Sequence, residues 1–348
     1  MLKRILALIL SVTFIAGSAG CGKKEKTRYE AEFLQLFDTV TKIVAYTDSK
    51  EEFTKYSNLI HDNLETYHKL YDIYNDYPGI NNIKTINDNA GKKPVKVDKR
   101  IIDLLEFAKE EDNKTNGKVN VAFGAVLRIW HQHREAGIND EENATLPSID
   151  ELRKANEHTD INKVKINKET SEVYLEDPEM SLDVGAVAKG YATEQVSRIA
   201  MENGFTAGLV SVGGNVRAIG NKGVDSQKWN LGIQNPDKES TNSVLDIVYV
   251  NDKSVVSSGD YERYYVVNGK RYHHIIDPNT LFPTEYFSQV TIITKDSGLA
   301  DALSTSVFNM PFEEGLKYIN SLPDAEAQWV MKNGEIKYSD HFKDYLAK

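Results

Sequence analysis

The chain has 348 residues, of which 40% are hydrophobic and 27% charged, with 22 glycines and 9 prolines. That composition excludes collagen-like, low-complexity and wholly disordered proteins, and the length is sufficient for a large buried core. Asp and Glu number 52 against 42 Lys and Arg, a formal net charge of −10, so the sequence-independent binding of nucleic acid is not expected.

The N-terminus predicts an exported protein. A positively charged start precedes an apolar run, Ile5 to Ala16, which at about a dozen residues is too short to cross a bilayer. Small residues follow and lead directly to Cys21, the only cysteine of the chain. This order is typical of a secretory signal, and small residues before a cysteine resemble a bacterial lipobox.

We therefore predict that residues 1–20 are a lipoprotein signal peptide, that Cys21 is lipid-modified, and that residues 21–29 form a flexible tether. A lipid on Cys21 would anchor the protein to the cell membrane on its extracytoplasmic face. The alternative is an ordinary signal peptide with an incidental cysteine.

Apolar residues in the first half recur mainly at intervals of three and four, which is typical of amphipathic helices. The longest such pattern covers 49–75 and includes Phe53, Ile60 and Leu64. The elements predicted before residue 160 are a strand over 33–46, a helix over 49–75, a turn near Tyr77, a helix from the cap Asp98 to about 114, a helix near 123–135 and a short helix after Ser148.

Strands dominate from Val164 onward, with helices between them. The strands predicted there are 164–166, 173–175, 209–212, 229–233, 245–250, 264–267 and 290–293, and the helices are 187–203, one from Ser297 and 312–319. Long helices followed by a strand-rich half predict an α+β fold. No linker or repeat is visible, so we expect a single compact catalytic domain over residues 30–348.

The first chemical motif is SLDVGAVAKGYA, Ser181 to Ala192, in which Asp183 precedes small residues and Lys189 at the predicted start of a helix. Small residues allow a close backbone approach, helix-start N–H groups favour phosphate, and lysine adds a positive charge. The alternative is a glycine-rich turn capped by Asp183, and spacing alone leaves both open. Gly213-Gly214 matches no nucleotide-binding loop and indicates a turn.

The second motif is YHHIIDP, Tyr272 to Pro278. Neighbouring residues on a strand point to opposite faces, so His273 and His274 are not expected to share a metal ion. His274 with Asp277 nearby is a candidate oriented base, and the alternative is a structural histidine.

The third motif places Asp301 and Thr305 four residues apart, on one face of a predicted helix. A carboxylate and a hydroxyl one turn apart are suited to a hard cation such as Mg²⁺, although Asp at a helix start is also a common cap. Tyr74, at the predicted end of the first long helix, is a candidate to stack on a planar ring or to belong to the core.

Together and in this order, the motifs resemble the ApbE family of FAD:protein FMN transferases, once named thiamine-biosynthesis lipoproteins. The similarity covers nearly all of residues 30–340. The matching segments are Phe37-Asp38-Thr39, Tyr74-Asn75, Gly117 to Trp130, Leu182 to Tyr191 (LDVGAVAKGY), Val212 to Gly214, Ser258 to Tyr261 (SGDY), His274 to Pro278 (HIIDP) and Ala300 to Thr305 (ADALST).

The resemblance implies transfer of the FMN moiety of FAD to a threonine hydroxyl of an exported acceptor flavoprotein, with release of AMP. It implies Mg²⁺ on the FAD diphosphate, held by the side chains of Asp301 and Thr305 and the carbonyl of Ala186. His274 matches a residue proposed as the base for the acceptor threonine. The positions that match FAD-site residues of the family are Phe37, Tyr74, Val119, Asn120, Val121, Asp183, Lys189 and Ile275.

Three positions depart from the family pattern, because Asn120 and Ala122 replace Asp and Thr, and Leu281 replaces a common Gly. Two other functions stay open. One is a Mg²⁺-dependent hydrolase that splits FAD into FMN and AMP. The other is a ligand-binding lipoprotein without turnover, which should show two similar α/β lobes.

Overall fold

The computed structural model describes residues 26–223 and 227–347. The predicted signal peptide, Cys21 and the start of the predicted tether lie outside these ranges. Within them, no helix is both long and apolar enough to cross a bilayer.

The helices are α1 (Lys50–Tyr71), α2 (Ile83–Asp88), α3 (Lys99–Lys114), α4 (Gly124–Asn139), α5 (Ile149–Asn156), α6 (Ala188–Glu202), α7 (Ser297–Phe308) and α8 (Phe312–Asn320), with 3₁₀ turns at Ile161–Lys163 and Phe342–Tyr345. The strands are β1 (Thr27–Leu36), β2 (Thr39–Thr47), β3 (Val95–Lys96), β4 (Val164–Asn167), β5 (Glu172–Leu175), β6 (Gly208–Val212), β7 (Asn215–Ile219), β8 (Trp229–Gln234), β9 (Val244–Val250), β10 (Ser254–Gly259), β11 (Tyr264–Val267), β12 (Lys270–His273), β13 (Phe287–Thr294), β14 (Glu326–Met331) and β15 (Ile336–Tyr338).

One eight-stranded antiparallel sheet organises the molecule, in the order β1-β2-β6-β7-β10-β13-β14-β15. The N-terminal hairpin β1–β2 therefore pairs with strands from the second half of the chain. This shared sheet confirms the predicted α+β fold, and it differs from the two similar lobes expected of a ligand-binding lipoprotein.

The two faces of the sheet are covered differently. Helices α1, α6 and α7 pack on one face, where α1 buries Phe53, Ile60 and Leu64 at helical spacing. The opposite face is covered by the β8–β9 hairpin and the C-terminal residues, with Trp229 and Phe342 in that core. Strand β13 is buried along nearly its whole length because both of its faces are covered.

Three predicted boundaries are wrong. The strand predicted over 33–46 is a hairpin, because the backbone turns at Phe37 and Asp38 with φ of 53° and 52°. Residues 27–29, assigned to the tether, pair with β2. The helix predicted to 75 ends at Tyr71, because the side chain of Asp72 accepts the backbone N–H groups of residues 74 and 75 and closes a turn.

Candidate active site

Helices α6 and α7 touch at Gly190. Its backbone N–H donates to Asp301 Oδ2 at 2.8 Å, and Asp301 is almost fully buried. A Cβ on residue 190 would collide with the carbonyl oxygen of Ser297 and with Cβ of Asp301. Only glycine therefore allows the two helices to approach this closely. The small residue in this part of the motif serves helix packing and places a carboxylate at the start of α6.

The bond from Gly190 leaves the carbonyl of Ala186 available. In a regular helix the N–H of residue 190 would donate to the carbonyl four residues earlier, but Asp301 takes it. No backbone N–H among residues 26–223 and 227–347 donates to Ala186 O instead. This carbonyl is therefore an oxygen donor without a hydrogen-bond donor of its own.

Thr305 lies one turn after Asp301 on α7 and differs from its neighbours. The hydroxyls of Ser304 and Ser306 donate back to the carbonyls of Asp301 and Leu303 at 2.9 and 3.1 Å. The Thr305 hydroxyl has no hydrogen bond to any part of the chain that the structure describes, and its side chain is only partly buried. It is therefore free to bind a ligand.

The predicted metal residues are thus one carboxylate, one hydroxyl and one carbonyl, all hard oxygen donors of the kind that Mg²⁺ prefers. The described residues contain no group of three or more His, Cys, Asp or Glu that could hold a metal ion. A cation between α6 and α7 would depend on Asp301 for negative charge and on neutral oxygens for its other ligands.

Lys189 and Asn215 act on the same carboxylate. Burial raises the pKa of Asp301, whereas the Lys189 ammonium, the Gly190 N–H and the Asn215 amide favour its charged form. Lys189 Nζ lies 3.8 Å from Asp301 Oδ2. The helix start thus presents a positive side chain beside the candidate cation site, and anion binding by this segment stays a prediction.

The segment around Asp183 is fixed from two sides. The backbone N–H of Asp183 donates to the carbonyl of Val121 at 2.8 Å. The side chain of Asn87 brackets Leu182, accepting from its N–H at 2.7 Å and donating to its carbonyl at 3.0 Å. Asp183 Oδ1 accepts from Gly185 N at 2.8 Å, so this carboxylate closes a turn and does not cap α6, which begins five residues later.

Residues 119–121, which match FAD-site positions of the family, face inward. The side chains of Val119 and Val121 are about 1% exposed and belong to the core. The side chain of Asn120 donates to the carbonyl of Thr159 and accepts the N–H of Ala122. This segment can therefore reach a ligand mainly through its backbone.

His273 and His274 point apart, as predicted. His273 is buried and contacts the Thr284 carbonyl at 2.8 Å. His274 donates its backbone N–H to the Arg263 carbonyl at 3.0 Å, and its Nδ1 lies 3.3 Å from the same oxygen. With Nδ1 as donor, Nε2 carries the free lone pair.

The expected pairing of His274 with Asp277 is wrong. Asp277 accepts a hydrogen bond from Lys118 Nζ at 2.8 Å and from a backbone N–H, and the Arg263 carbonyl orients His274 instead. Burial lowers the pKa of His274 to about 3, and the positive charges of Arg263, Arg134 and Lys189 act in the same direction. The imidazole is neutral at physiological pH.

Tyr74 and Phe37 lie in turns rather than in the core. Tyr74 is 55% exposed and its ring lies 5.4 Å from that of His131. Burial of the phenol and the charge of Asp183 raise the pKa of Tyr74 to about 12. Phe37 stands at the tip of the β1–β2 hairpin, edge-on to the ring of His68 at 5.7 Å. The core alternative for Tyr74 is thereby excluded.

Two groups of residues emerge. Around α6 and α7 lie Ala186, Lys189, Asp301 and Thr305. In a second group, Tyr74, Asp183 and His274, the positive charges of Arg134 and Arg263 act to lower the pKa of each side chain. Sequence reasoning missed Asn87, Asn215 and both arginines, because none stands in a recognisable motif and each acts across a long sequence separation.

The fold and these motifs define an α+β domain with a candidate cation site, and comparisons with known proteins specify the family. A profile of the ApbE family matches residues 37–329. The chain is 30% identical over 345 residues to the FAD:protein FMN transferase of Treponema pallidum, covering 94% of this chain and 91% of that protein. It is 30% identical to a protein of the same name from Klebsiella pneumoniae over 259 residues, 73% of this chain and 76% of the other.

Among solved structures, the ApbE protein of Thermotoga maritima superposes with a TM-score of 0.80 at 30% identity, covering 92% of this chain and all of that one. The chain therefore belongs to the ApbE family.

Proposed function

We propose that the protein is a Mg²⁺-dependent FAD:protein FMN transferase. The observation that carries this proposal is the hydrogen bond from the Gly190 N–H to Asp301 between α6 and α7, which leaves the Ala186 carbonyl without a backbone donor among the described residues. One turn after Asp301, the Thr305 hydroxyl has no hydrogen bond to the described part of the chain. The names of the relatives, which describe transfer of FMN from FAD to protein, support the same reaction.

The donor set fits a hard divalent cation, and we assign Mg²⁺ to Asp301, Thr305 and the carbonyl of Ala186. When bound, the ion would reduce the negative charge of the FAD diphosphate and make its phosphorus easier to attack. Lys189 adds a positive charge beside Asp301, in reach of the same anion. This local charge would allow an acidic protein to bind a dianionic diphosphate.

His274 is the candidate to accept the proton of the acceptor hydroxyl, although a pKa of about 3 makes it a weak base in the free protein, so the negative charge of bound FAD would have to raise that value. Its ring is neutral, and the Arg263 carbonyl holds Nδ1 so that Nε2 carries the lone pair. In the reaction, the acceptor threonine oxygen forms a bond to the phosphorus of the FMN half. The bond from that phosphorus to the oxygen shared with AMP breaks, AMP leaves with that oxygen, and the hydroxyl proton passes to His274.

We further propose that the protein works outside the cytoplasm, anchored to the membrane by a lipid on Cys21, and that its acceptors are exported flavoproteins. The signal-like N-terminus and the lipobox-like residues before Cys21 support this location. Metabolic labelling with a tagged fatty acid should mark the wild type and leave Cys21→Ser unlabelled. Equal labelling of both would refute the anchor.

The reaction itself is tested by incubating the full chain, in detergent, with FAD, Mg²⁺ and an exported flavoprotein domain. Flavin fluorescence that stays with the acceptor on a denaturing gel, together with AMP release, is the expected result. Free FMN with AMP and no labelled acceptor would instead establish the hydrolase. Replacing the acceptor threonine by valine is the matched control and should abolish labelling.

A further inference from the structure

Glu194 is a buried carboxylate that the proposed reaction does not use. It lies on α6, one turn after Gly190, and is only 4% exposed. Carboxylates are rarely buried unless they are paired, because removing the charge from water costs free energy. The partners of Glu194 are Arg198 on the same helix, Arg217 on β7 and the first backbone N–H of α7. The first N–H groups of a helix have no partner within it, so Glu194 supplies one.

This contact repeats, one turn further along, the contact at Gly190. Glu194 Oε2 accepts the backbone N–H of Ser297 at 3.0 Å, and the Gly190 N–H donates to Asp301 Oδ2 at 2.8 Å. Residues 190 and 194 are four apart on α6, and 297 and 301 are four apart on α7, so each pair occupies one face of its helix. Because the order of the partners is reversed, α6 and α7 run antiparallel and are joined at two successive turns.

Ser297 lies where the two helices are closest. A Cβ on residue 190 would collide with the carbonyl oxygen of Ser297, and the backbone N–H of the same residue is the one that Glu194 holds. Asp301 follows Ser297 by one turn of a continuous hydrogen-bonded helix. A displacement of the first turn of α7 would therefore move the Asp301 carboxylate as well.

Arg217 and Arg198 fix the Glu194 carboxylate before it reaches α7. Arg217 Nε lies 3.3 Å from Glu194 Oε2, and both side chains are almost fully buried. Arg198, which is half exposed, donates to Oε1 at 2.8 Å and to Asp296 at 2.7 Å. Asp296 in turn accepts the N–H of residue 299 and caps α7. The central sheet, α6 and the start of α7 thus meet at one buried carboxylate.

We propose that Glu194 is a positioning residue for the cation site, because it holds the start of α7 against α6 and thereby fixes where Asp301 presents its carboxylate. In this role Glu194 acts through Asp301. The inference rests on the proposed function, since the carboxylate that Glu194 places is the one assigned to the cation. Groups that orient a metal ligand in this way typically change metal affinity by about 10–100-fold.

The test measures Mn²⁺ binding to the full chain by the loss of the free-ion signal in electron paramagnetic resonance, with Mn²⁺ alone and with Mn²⁺ and FAD. All titrations are made at a temperature at which every variant is folded. Glu194→Ala should weaken Mn²⁺ binding by about 10–100-fold. Glu194→Gln can still accept the Ser297 N–H and should bind within about threefold of the wild type. Its melting temperature should nevertheless fall, because Arg217 loses its buried counter-charge.

Two controls separate positioning from a general loss of stability. Phe342→Leu alters a fully buried side chain on the opposite face of the sheet, so it should lower the melting temperature and leave Mn²⁺ affinity unchanged. Arg198→Gln removes the half-exposed partner of Glu194 and leaves the contacts with Arg217 and Ser297 in place, so its Mn²⁺ affinity should also match the wild type.

A crystal structure of Glu194→Ala supplies a measurement that needs no metal. The distance from Gly190 N to Asp301 Oδ2 should increase beyond hydrogen-bond range. If Glu194→Ala does not fold, Glu194→Asp replaces it in both experiments, because it keeps the charge beside Arg217 and is one carbon too short to hold Ser297 as well. The proposal is overturned if the variant binds Mn²⁺ as the wild type does, if Phe342→Leu weakens binding equally, or if the distance is unchanged.

Asp301→Ala distinguishes failure of this inference from failure of the proposed function. A wild type that binds Mn²⁺ no better than Asp301→Ala would refute the assigned cation site, and the crystal structure of Glu194→Ala would still decide whether Glu194 holds Asp301. Loss of Mn²⁺ binding in Asp301→Ala, together with full binding in Glu194→Ala, would refute the positioning role alone.

Discussion

The ammonium of Lys118 donates to the carboxylate of Asp277 at 2.8 Å, and both side chains are about nine-tenths buried. Lys118 directly precedes Val119, and Asp277 follows Ile275 by two residues, so the ion pair joins two segments of the candidate FAD site. The backbone N–H of Asn279 also donates to this carboxylate at 3.1 Å. The pair thereby fixes the distance between the two segments.

Removing one partner of this pair should destabilise the protein. Lys118→Met leaves the Asp277 carboxylate buried without its cation, which costs about 3–5 kcal/mol for a buried pair. Urea unfolding of the full chain measures the change. Glu65→Gln is the control, because the exposed pair of Glu65 with Lys69 is worth at most about 1 kcal/mol. Similar losses in the two variants would show that Lys118 does not link the segments.

Gly190 should not tolerate alanine. An added Cβ has no room between Ser297 and Asp301, so α6 and α7 must separate, and we expect a loss of about 1–3 kcal/mol in stability together with weakened Mg²⁺ binding. Thermal unfolding and Mg²⁺ calorimetry measure the two effects. The matched control is Gly315→Ala on α8, where the nearest atom would lie 3.5 Å from the new Cβ. Equal stability of both variants would contradict the helix contact described here.

Asp112 should make the protein less stable as the pH rises. Burial raises the pKa of Asp112 to about 6, against an ordinary 3.8, although Lys109 opposes the shift. Between these values the folded state holds the proton more tightly than the unfolded state, so stability falls as the pH passes from 4 to 6. Asp112→Asn should therefore stabilise the protein at pH 7 by on the order of 1 kcal/mol.

Urea unfolding at pH 7 and at pH 4 tests this prediction, and the gain should shrink at the lower pH. Glu142→Gln, at an exposed carboxyl group, is the control and should show no such change. A gain that is equal at both pH values would assign the effect of Asp112→Asn to something other than ionisation.

His274 should govern the transfer step more than FAD binding. His274→Asn should lower the rate of FMN transfer by about 10²–10⁴-fold, the usual contribution of a general base, and alter the Kd for FAD by less than threefold. Because its pKa is about 3 in the free protein, it stays unprotonated above pH 5, and kcat/KM should show no His274-dependent fall near pH 6.5. A fall near that pH that disappears in the variant would contradict the described environment.

The amphipathic helices were predictable because their burial follows a local pattern, as the inward face of α1 does. Strand β10, with the sequence SVVSSG, was not among the predicted strands. Two of its three serines are accommodated by partners distant in sequence, since Ser257 pairs with Thr291 and Ser258 with Ser304, each at 2.8 Å. A polar residue that finds such a partner can occupy a central strand, and no local pattern reveals it.

The residues of the candidate site also divide into those that a local sequence pattern predicts and those that it does not. The α7 pair Asp301 and Thr305 was predictable because helical spacing places residues four apart on one face. The partner of Asp277 was not, because Lys118 lies 159 residues away in sequence. Leu281, which replaces a common family glycine, adopts a φ of 64° while its side chain is buried and its carbonyl accepts from Trp130, so tertiary packing holds a backbone conformation that leucine rarely takes.

The central claim is a divalent cation between α6 and α7, and anomalous diffraction from a crystal soaked with FAD and Mn²⁺ tests it most directly. Mn²⁺ takes oxygen ligands as Mg²⁺ does and can be located by its scattering. We expect a peak in contact with Asp301, Thr305 and the carbonyl of Ala186, absent from Asp301→Ala and retained in Ser306→Ala, whose wild-type hydroxyl already bonds within the helix. Bound FAD with no metal peak at these three oxygens would contradict the account.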